Sequence, residues 1–321
     1  MYHAGMRLFA ALLFLLGAAG IAAAAIAPSA PAFLVIAHRG ASGVLPEHTL
    51  EAYRRAIDQG ADFVEPDLVP TRDGHLVARH ERQLGRTTDV SLRPEFAARR
   101  VVKPGAAAPD WYVEDFTLAE IKTLRARQPE PGRPDRYDDR FGIATFEDIL
   151  VLVRERSVAL DRPVGVWAEL KHPALFAGMG LDVTAPLLRG FARHGFGTRQ
   201  RPAVIQSFDA DVLRQLNDRT SIPLIVLLSE PASSLDDVAG FAAGIGAAKH
   251  LLIDPVSGRA TPFLRRAQAL GLKVVPWTFR DDAPGQGFAS AEAEMQAYLK
   301  LGVDGVITDF PDTAIALRPL H

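Results

Sequence analysis

Phe33-Leu34-Val35-Ile36-Ala37-His38-Arg39-Gly40 is an apolar run that ends abruptly in polar residues and a glycine. Further on, Asp62-Phe63-Val64-Glu65-Pro66-Asp67-Leu68 shows the same kind of ending. Continuous apolar runs of this length read as strands buried on both faces, the pattern of a parallel sheet. Between them, Leu50, Tyr53 and Ile57 share one face of a helix that opens near Thr49 and stops at Gly60. Glu65 and Asp67 are two apart and therefore lie on one side of their strand. Thr71-Arg72-Asp73-Gly74 has Asp-Gly turn chemistry, so His75 to His80 is expected to return as a hairpin partner. That return brings His80 toward the two carboxylates. Reactive side chains collected at strand ends are the signature of an α/β barrel, which places its chemistry there.

The rest of the chain alternates in the same way. Helices are predicted from Thr145-Phe146-Glu147-Asp148, near Thr184 to His194, and from Asp209 to Asn217. Further strands are predicted at Val164 to Leu170, Ala203 to Ser207, Leu224 to Leu228, Leu251 to Asp254, Lys273 to Thr278 and Asp304 to Thr308. The expectation is a TIM-like (β/α)8 barrel with one strand too many, the surplus being the hairpin or the weak Leu251 segment. Residues 28–321 read as a single barrel domain, interrupted by a loop-rich insertion at 82–144. Within the insertion, Thr117-Leu118-Ala119-Glu120 is a capping box that opens a short helix. The insertion is expected to cap the barrel mouth, with Trp111, Tyr112 and Phe116 either lining it or packed in ordinary fashion.

Residues 1–27 carry Arg7, an apolar run from Leu8, and small residues at Ala23, Ala25 and Ala27, the three parts of a secretory signal peptide. The chain has no cysteine, hence no disulfide framework and no thiol for lipid attachment. Export to the periplasm or the medium is expected, with no stable membrane insertion after cleavage. A formal charge of −2 with mixed signs provides no basic field for nucleic acid. The oligomeric state is not legible.

The strand ends gather His38, Arg39, Glu65, Asp67, Glu169, Lys171, Gln206, Ser207, Trp277 and Asp309. Carboxylates at such positions need a cation, a basic partner or water. Glu65, Asp67 and Glu169, without cysteine, suit a hard divalent cation such as Ca²⁺ or Mg²⁺. Salt bridges to Arg39 and Lys171 are the competing account. His38 and His80 flank the same carboxylates and have the pKa range for proton transfer. His75, His172, His194 and His250 read as structural. Arg39 and Lys171 add fixed positive charge, and an arginine fork suits phosphate oxygens. Together these groups point to phosphoryl chemistry.

His38-Arg39-Gly40, Pro46-Glu47-His48-Thr49, Glu65-Pro66-Asp67, Thr71-Arg72-Asp73-Gly74, Val77-Ala78-Arg79-His80, Glu169-Leu170-Lys171, Gln206-Ser207-Phe208 and Thr308-Asp309-Phe310-Pro311 occur in one order. In that order the chain resembles the glycerophosphodiester phosphodiesterases. Thr87-Thr88-Asp89-Val90, Asp115-Phe116-Thr117-Leu118 and Thr145-Phe146-Glu147 make it most similar to their secreted, periplasmic branch. The resemblance covers nearly all of the chain after the signal. It implies a divalent cation, Ca²⁺ before Mg²⁺, on Glu65, Asp67 and Glu169. It further implies that His38 and His80 form the acid/base pair, that Arg39 and Lys171 hold the phosphate, and that Trp277 lies near a glycerophosphodiester substrate. The implied reaction gives sn-glycerol 3-phosphate and an alcohol, after attack by water or by the substrate's own 2-hydroxyl. The family commonly has His-Asp where this chain has His80-Glu81, and the extra methylene changes the reach of the hydrogen bond that orients the imidazole. A lysophospholipase D acting on lipids and an inactive phosphodiester-binding protein are the competing functions.

Overall fold

The computed structural model describes residues 33–318, so the expected signal segment 1–27 lies outside the described residues. Ten strands form one sheet: β1 (Leu34–His38), β2 (Phe63–Glu65), β3 (Asp67–Pro70), β4 (Leu76–Ala78), β5 (Gly165–Leu170), β6 (Ala203–Ser207), β7 (Leu224–Leu228), β8 (Gly244–Ala248), β9 (Lys273–Trp277) and β10 (Gly305–Thr308). Eight are parallel neighbours in the order β10-β1-β2-β5-β6-β7-β8-β9. The two ends meet where Asp304 N donates to Val274 O at 2.9 Å and Phe279 N to Ile307 O at 3.0 Å. This is the (β/α)8 barrel, with helices covering its outside.

Strand periodicity explains the two layers of the barrel interior. Ile36, Phe63, Trp167, Val204, Ile225, Val275 and Ile307 form a separate apolar cluster, one residue from each of seven strands. Side chains two positions further along a strand point the same way. Adding two to these positions gives His38, Glu65, Glu169, Gln206, Leu227, Trp277 and Asp309. An apolar floor therefore lies directly beneath a largely polar layer at the C-terminal end of the barrel.

The hairpin at Asp73-Gly74 forms as expected, with β4 antiparallel to β3 in the register Leu68↔Ala78, Val69↔Val77 and Pro70↔Leu76. It lies off the ring and accounts for the surplus strand. The stretch predicted as one strand from Asp62 to Leu68 is broken at Pro66 into β2 and β3, because proline has no N–H to continue the ladder. Its carbonyl still accepts from Glu169 N at 2.9 Å.

One predicted strand is wrong. Residues 249–251 form a 3-10 helix and the following residues form turns; the barrel strand is instead Gly244-Ile245-Gly246-Ala247-Ala248. Its small residues carry little strand propensity, yet the position demands them. A Cβ on Gly244 would lie 2.3 Å from Lys273 O, and one on Gly246 would lie 2.5 Å from Leu227 Cδ2.

The insertion has little regular structure, with 3-10 helices at Asp89–Leu92, Pro94–Arg99 and Val113–Asp115 and a short α-helix at Leu118–Ile121. The capping box at Thr117 is present. Trp111, Tyr112 and Phe116 are buried, and Trp111 Nε1 donates to Phe96 O at 2.7 Å. They are packed rather than lining the barrel mouth, because the aromatic faces of Phe96 and Phe116 meet edge to face at 4.9 Å. The later part of the insertion does reach the mouth, where Arg133 donates to Ser42 O at 3.2 Å. Among the described residues, no helix is long and apolar enough to cross a membrane.

Candidate active site

The turn after β1 sets up the site. Arg39 takes a left-handed conformation (φ 59°), followed by Gly40 at φ 86°. A Cβ on Gly40 would lie 2.6 Å from the Ala52 carbonyl carbon, so only glycine lets the helix Leu50–Asp58 pack this closely. The turn aims Arg39 N at Glu65, donating to the backbone O at 3.0 Å and to Oε2 at 3.1 Å.

His38 Nδ1 donates to Asp309 Oδ1 at 2.6 Å, while Arg39 Nε donates to His38 Nε2 at 3.3 Å. That network assigns the proton to Nδ1 and the lone pair to Nε2. Burial, and then the neighbouring Arg39 guanidinium, lower the pKa of His38, with Asp309 opposing them. Burial would raise the Asp309 carboxyl, but His38 and Arg133 together hold it far below the usual range. Arg133 Nη2 donates to Asp309 Oδ2 at 2.6 Å and its Nε to Asp282 Oδ2 at 2.7 Å. His80 Nδ1 is 2.6 Å from Glu81 Oε1, so the glutamate reaches the imidazole despite its extra methylene.

Glu65, Asp67 and Glu169 are buried, and each offers an oxygen within 4.8 Å of the others. Glu65 Oε1 accepts from Gln206 Nε2 at 3.0 Å, and Gln206 Oε1 from Trp167 Nε1 at 2.6 Å. Asp67 Oδ2 pairs with His48 Nε2 at 3.0 Å and Arg39 Nε at 3.4 Å. Lys171 Nζ is 2.8 Å from Glu169 Oε1 and 4.0 Å from Asp67 Oδ1. Salt bridges therefore account for part of the cluster but not all of it. Asp67 Oδ1 and Glu169 Oε1 are buried without an aligned hydrogen bond. Burial and then Asp67 push Glu65 well up and Glu169 to about 8, the response of carboxylates short of positive charge. An all-oxygen donor set in which Asp67 Oδ1 is buried without a hydrogen-bond partner fits a hard divalent cation.

Lysine and arginine complete the positive side. Arg39 Nη1 pairs with Glu47 Oε2 at 2.8 Å, and Arg79 Nη2 lies 3.6 Å from Glu47 Oε1. His38, Arg39, Glu65, His80, Glu169, Lys171 and Trp277 line one cavity of about 100 Å³, floored by Ile307 and flanked by Phe208. Asp67 shares the carboxylate cluster with Glu65 and Glu169 but is not among the lining residues.

Several contributing residues had no role in the sequence reading. Glu47 and His48 stood in a quoted motif, yet nothing local shows that His48 bridges Tyr53 OH (2.7 Å) and Asp67. Arg79, adjacent to His80, is fully buried, which charge patterning cannot reveal. Arg133 comes from the aperiodic insertion. His194 pairs with Glu147 Oε2 at 2.7 Å, away from the site.

Glu47 is expected to support the fold strongly. Burial would raise its pKa, but Arg39, His48 and Arg79 bring it down to about 2. A depressed carboxylate contributes stability that is present above its ordinary value of 4.5 and is lost as pH falls toward about 2. Glu47→Gln leaves the buried Arg79 guanidinium uncompensated and Arg39 with Asp67 alone, and should destabilise by roughly 3–5 kcal/mol at neutral pH. Urea unfolding at pH 7 and pH 3 checks this, since the mutational loss must shrink at the lower pH.

A barrel mouth with three carboxylates able to share a cation, two oriented imidazoles and two further cations is that of a (β/α)8 phosphodiesterase. The chain belongs to the glycerophosphoryl diester phosphodiesterase family, whose model matches residues 38–313. It is 32% identical over 317 residues to a glycerophosphodiester phosphodiesterase of Arabidopsis thaliana, covering 86% of this chain and 83% of the relative. A glycerophosphodiester phosphodiesterase of Haemophilus influenzae is 29% identical, with 88% of each chain covered. Among solved structures, an Oleispira antarctica phosphodiesterase in complex with the product sn-glycerol-3-phosphate superposes with a TM-score of 0.67. That match has 22% identity and covers 88% of this chain and 95% of the other, so it speaks to the fold.

Proposed function

We propose that the protein hydrolyses glycerophosphodiesters to sn-glycerol 3-phosphate and an alcohol, using His38 and His80 as its acid/base pair. The observation that carries this reading is the pairing of each imidazole Nδ1 with a carboxylate beside one carboxylate cluster. The product named for the Oleispira antarctica enzyme supports the same substrate class.

His38 acts as the base. Its Nε2 carries the lone pair, and its lowered pKa keeps it neutral in the ordinary histidine range. It takes the proton from the attacking oxygen, whether water or the substrate's 2-hydroxyl, as that oxygen bonds to phosphorus. The bond from phosphorus to the alcohol oxygen breaks, and His80 gives that oxygen its proton; with the 2-hydroxyl as nucleophile the product of this step is a cyclic phosphate, which water then opens to sn-glycerol 3-phosphate with the two histidines exchanging roles. Asp309 and Glu81 orient the two rings, while Arg39 and Lys171 hold the phosphate oxygens. Glu65, Asp67 and Glu169 would hold a divalent cation, Ca²⁺ in preference to Mg²⁺, which would supply charge neutralisation for the phosphate. The signal-like residues 1–27 support action outside the cytoplasm.

The test is turnover by the purified protein on glycerophosphocholine, glycerophosphoethanolamine and lysophosphatidylcholine, each with Ca²⁺, Mg²⁺ or chelator. Release of glycerol phosphate only with a cation is expected. Binding of glycerophosphocholine without turnover would establish a binding protein instead, and exclusive turnover of lysophosphatidylcholine a lipid enzyme.

A further inference from the structure

A second cavity adjoins the reaction cavity and differs from it in size and chemistry. Trp277 and Thr278 line both. The second cavity has a volume of about 860 Å³, against about 100 Å³ for the first. A space of about 100 Å³ is filled by the phosphate and the glycerol portion, so the alcohol on the far side of phosphorus must lie elsewhere.

The walls show what the second cavity can recognise, because the polar groups of Lys249, Glu294, Tyr298 and Trp277 are already engaged. Lys249 Nζ pairs with Glu294 Oε1 at 2.6 Å, and Glu294 Oε2 accepts from Gly285 N at 3.0 Å. Tyr298 OH donates to Lys249 O at 3.0 Å, and Trp277 Nε1 to Gly246 O at 2.8 Å. The Asp254 carboxylate accepts from Val256 N and from Ser257 N and Oγ within its own turn. What faces the space is mainly carbon, from Trp277, Ile253, Phe288, Ala297 and Tyr298. The remaining charge on the wall, Asp254, stands in an exposed turn, where solvent leaves a small charged alcohol little to gain from it. An apolar one would exchange water for aromatic and aliphatic surface.

Resting on the phosphodiesterase reading, we propose that this cavity is the leaving-group subsite and that it selects alcohols with extended apolar carbon over small polar ones. The alcohol oxygen stays at the phosphorus beside His80, and the carbon chain passes Trp277 into the cavity.

The experiment uses glycerophospho esters of methanol, butanol and hexanol. These alcohols have similar acidity, so the bond being broken is held constant while apolar surface grows. Release of glycerol phosphate in the presence of Ca²⁺ gives kcat/KM. A rise of roughly three- to fourfold per buried methylene is expected, so that the hexyl ester exceeds the methyl ester by more than tenfold. Ala297→Trp fills the cavity and should erase most of that advantage through KM, leaving the methyl ester unchanged. Ile253→Asp, which puts a charge on the wall, should do the same should the tryptophan variant fail to fold. A flat series in the wild-type protein, or an advantage that survives both substitutions in folded protein, overturns the subsite while the phosphodiesterase reading stands. No turnover of any ester, the methyl ester included, overturns both.

Discussion

His38→Ala and His80→Ala are each expected to lower kcat by about 10²- to 10⁴-fold while the protein stays folded. Both side chains are partly exposed, at 19% for His38 and 31% for His80, and neither belongs to the apolar core clusters, so truncation costs little packing. His38 must be unprotonated to accept a proton, and burial followed by Arg39 lowers its pKa. Activity of the wild-type protein should therefore persist on the acid side of the ordinary histidine value of 6.5 and fall only as His38 protonates. Asp309→Asn tests the orientation separately, because an amide can donate to Nδ1 and favour the opposite tautomer. It should lower kcat with little change in KM. Near-normal turnover in either alanine variant, with unchanged circular dichroism, removes that histidine from the mechanism.

Local pattern revealed the strands that carry these residues because barrel strands buried on both faces are continuous apolar runs. The period of two placed Glu65 and Asp67 on one side before any partner was known. Glycine-rich β8 escaped notice for the opposite reason: its identity is set by what its neighbours leave room for, at Lys273 and Leu227, and not by its own propensity. The Leu251 segment, more apolar in sequence, was taken in its place. Asp309 was legible as a carboxylate at a strand end, but its partners lie 271 residues away at His38 and 176 away at Arg133. Long-range ion pairing of that kind leaves no period in the chain. The same holds for the buried series from Tyr53 through His48 to Asp67, whose first two members look like ordinary helix-start residues. Sequence thus brought out the polar groups at the strand ends, whereas closure of the barrel supplies the partners they pair with.

The carboxylate cluster should respond to a cation both in activity and in stability, and the two responses separate its members. Chelation is expected to abolish turnover and added Ca²⁺ to restore it. A ligand that binds only the folded state stabilises by about 2.7 kcal/mol at a hundredfold excess over Kd, so Ca²⁺ should raise Tm measurably. Asp67→Asn should eliminate both effects and also weaken the metal-free protein, since Asp67 pairs with His48 and Arg39. Glu169→Gln behaves differently. Burial, then Asp67, push Glu169 to about 8 in the metal-free protein, so at neutral pH it is already largely protonated and resembles glutamine. A carboxyl raised above its ordinary 4.5 withdraws stability as pH climbs from 4.5 through about 8. Metal-free wild-type protein should therefore lose Tm across that interval, and Glu169→Gln should lose less. The glutamine variant should match the metal-free wild type in Tm only below about pH 4.5 and exceed it at neutral pH, yet gain little from Ca²⁺. Were Ca²⁺ to stabilise Glu169→Gln and Asp67→Asn as much as the wild type, the cation would have to bind elsewhere, and the cluster would be an ion-pair network only.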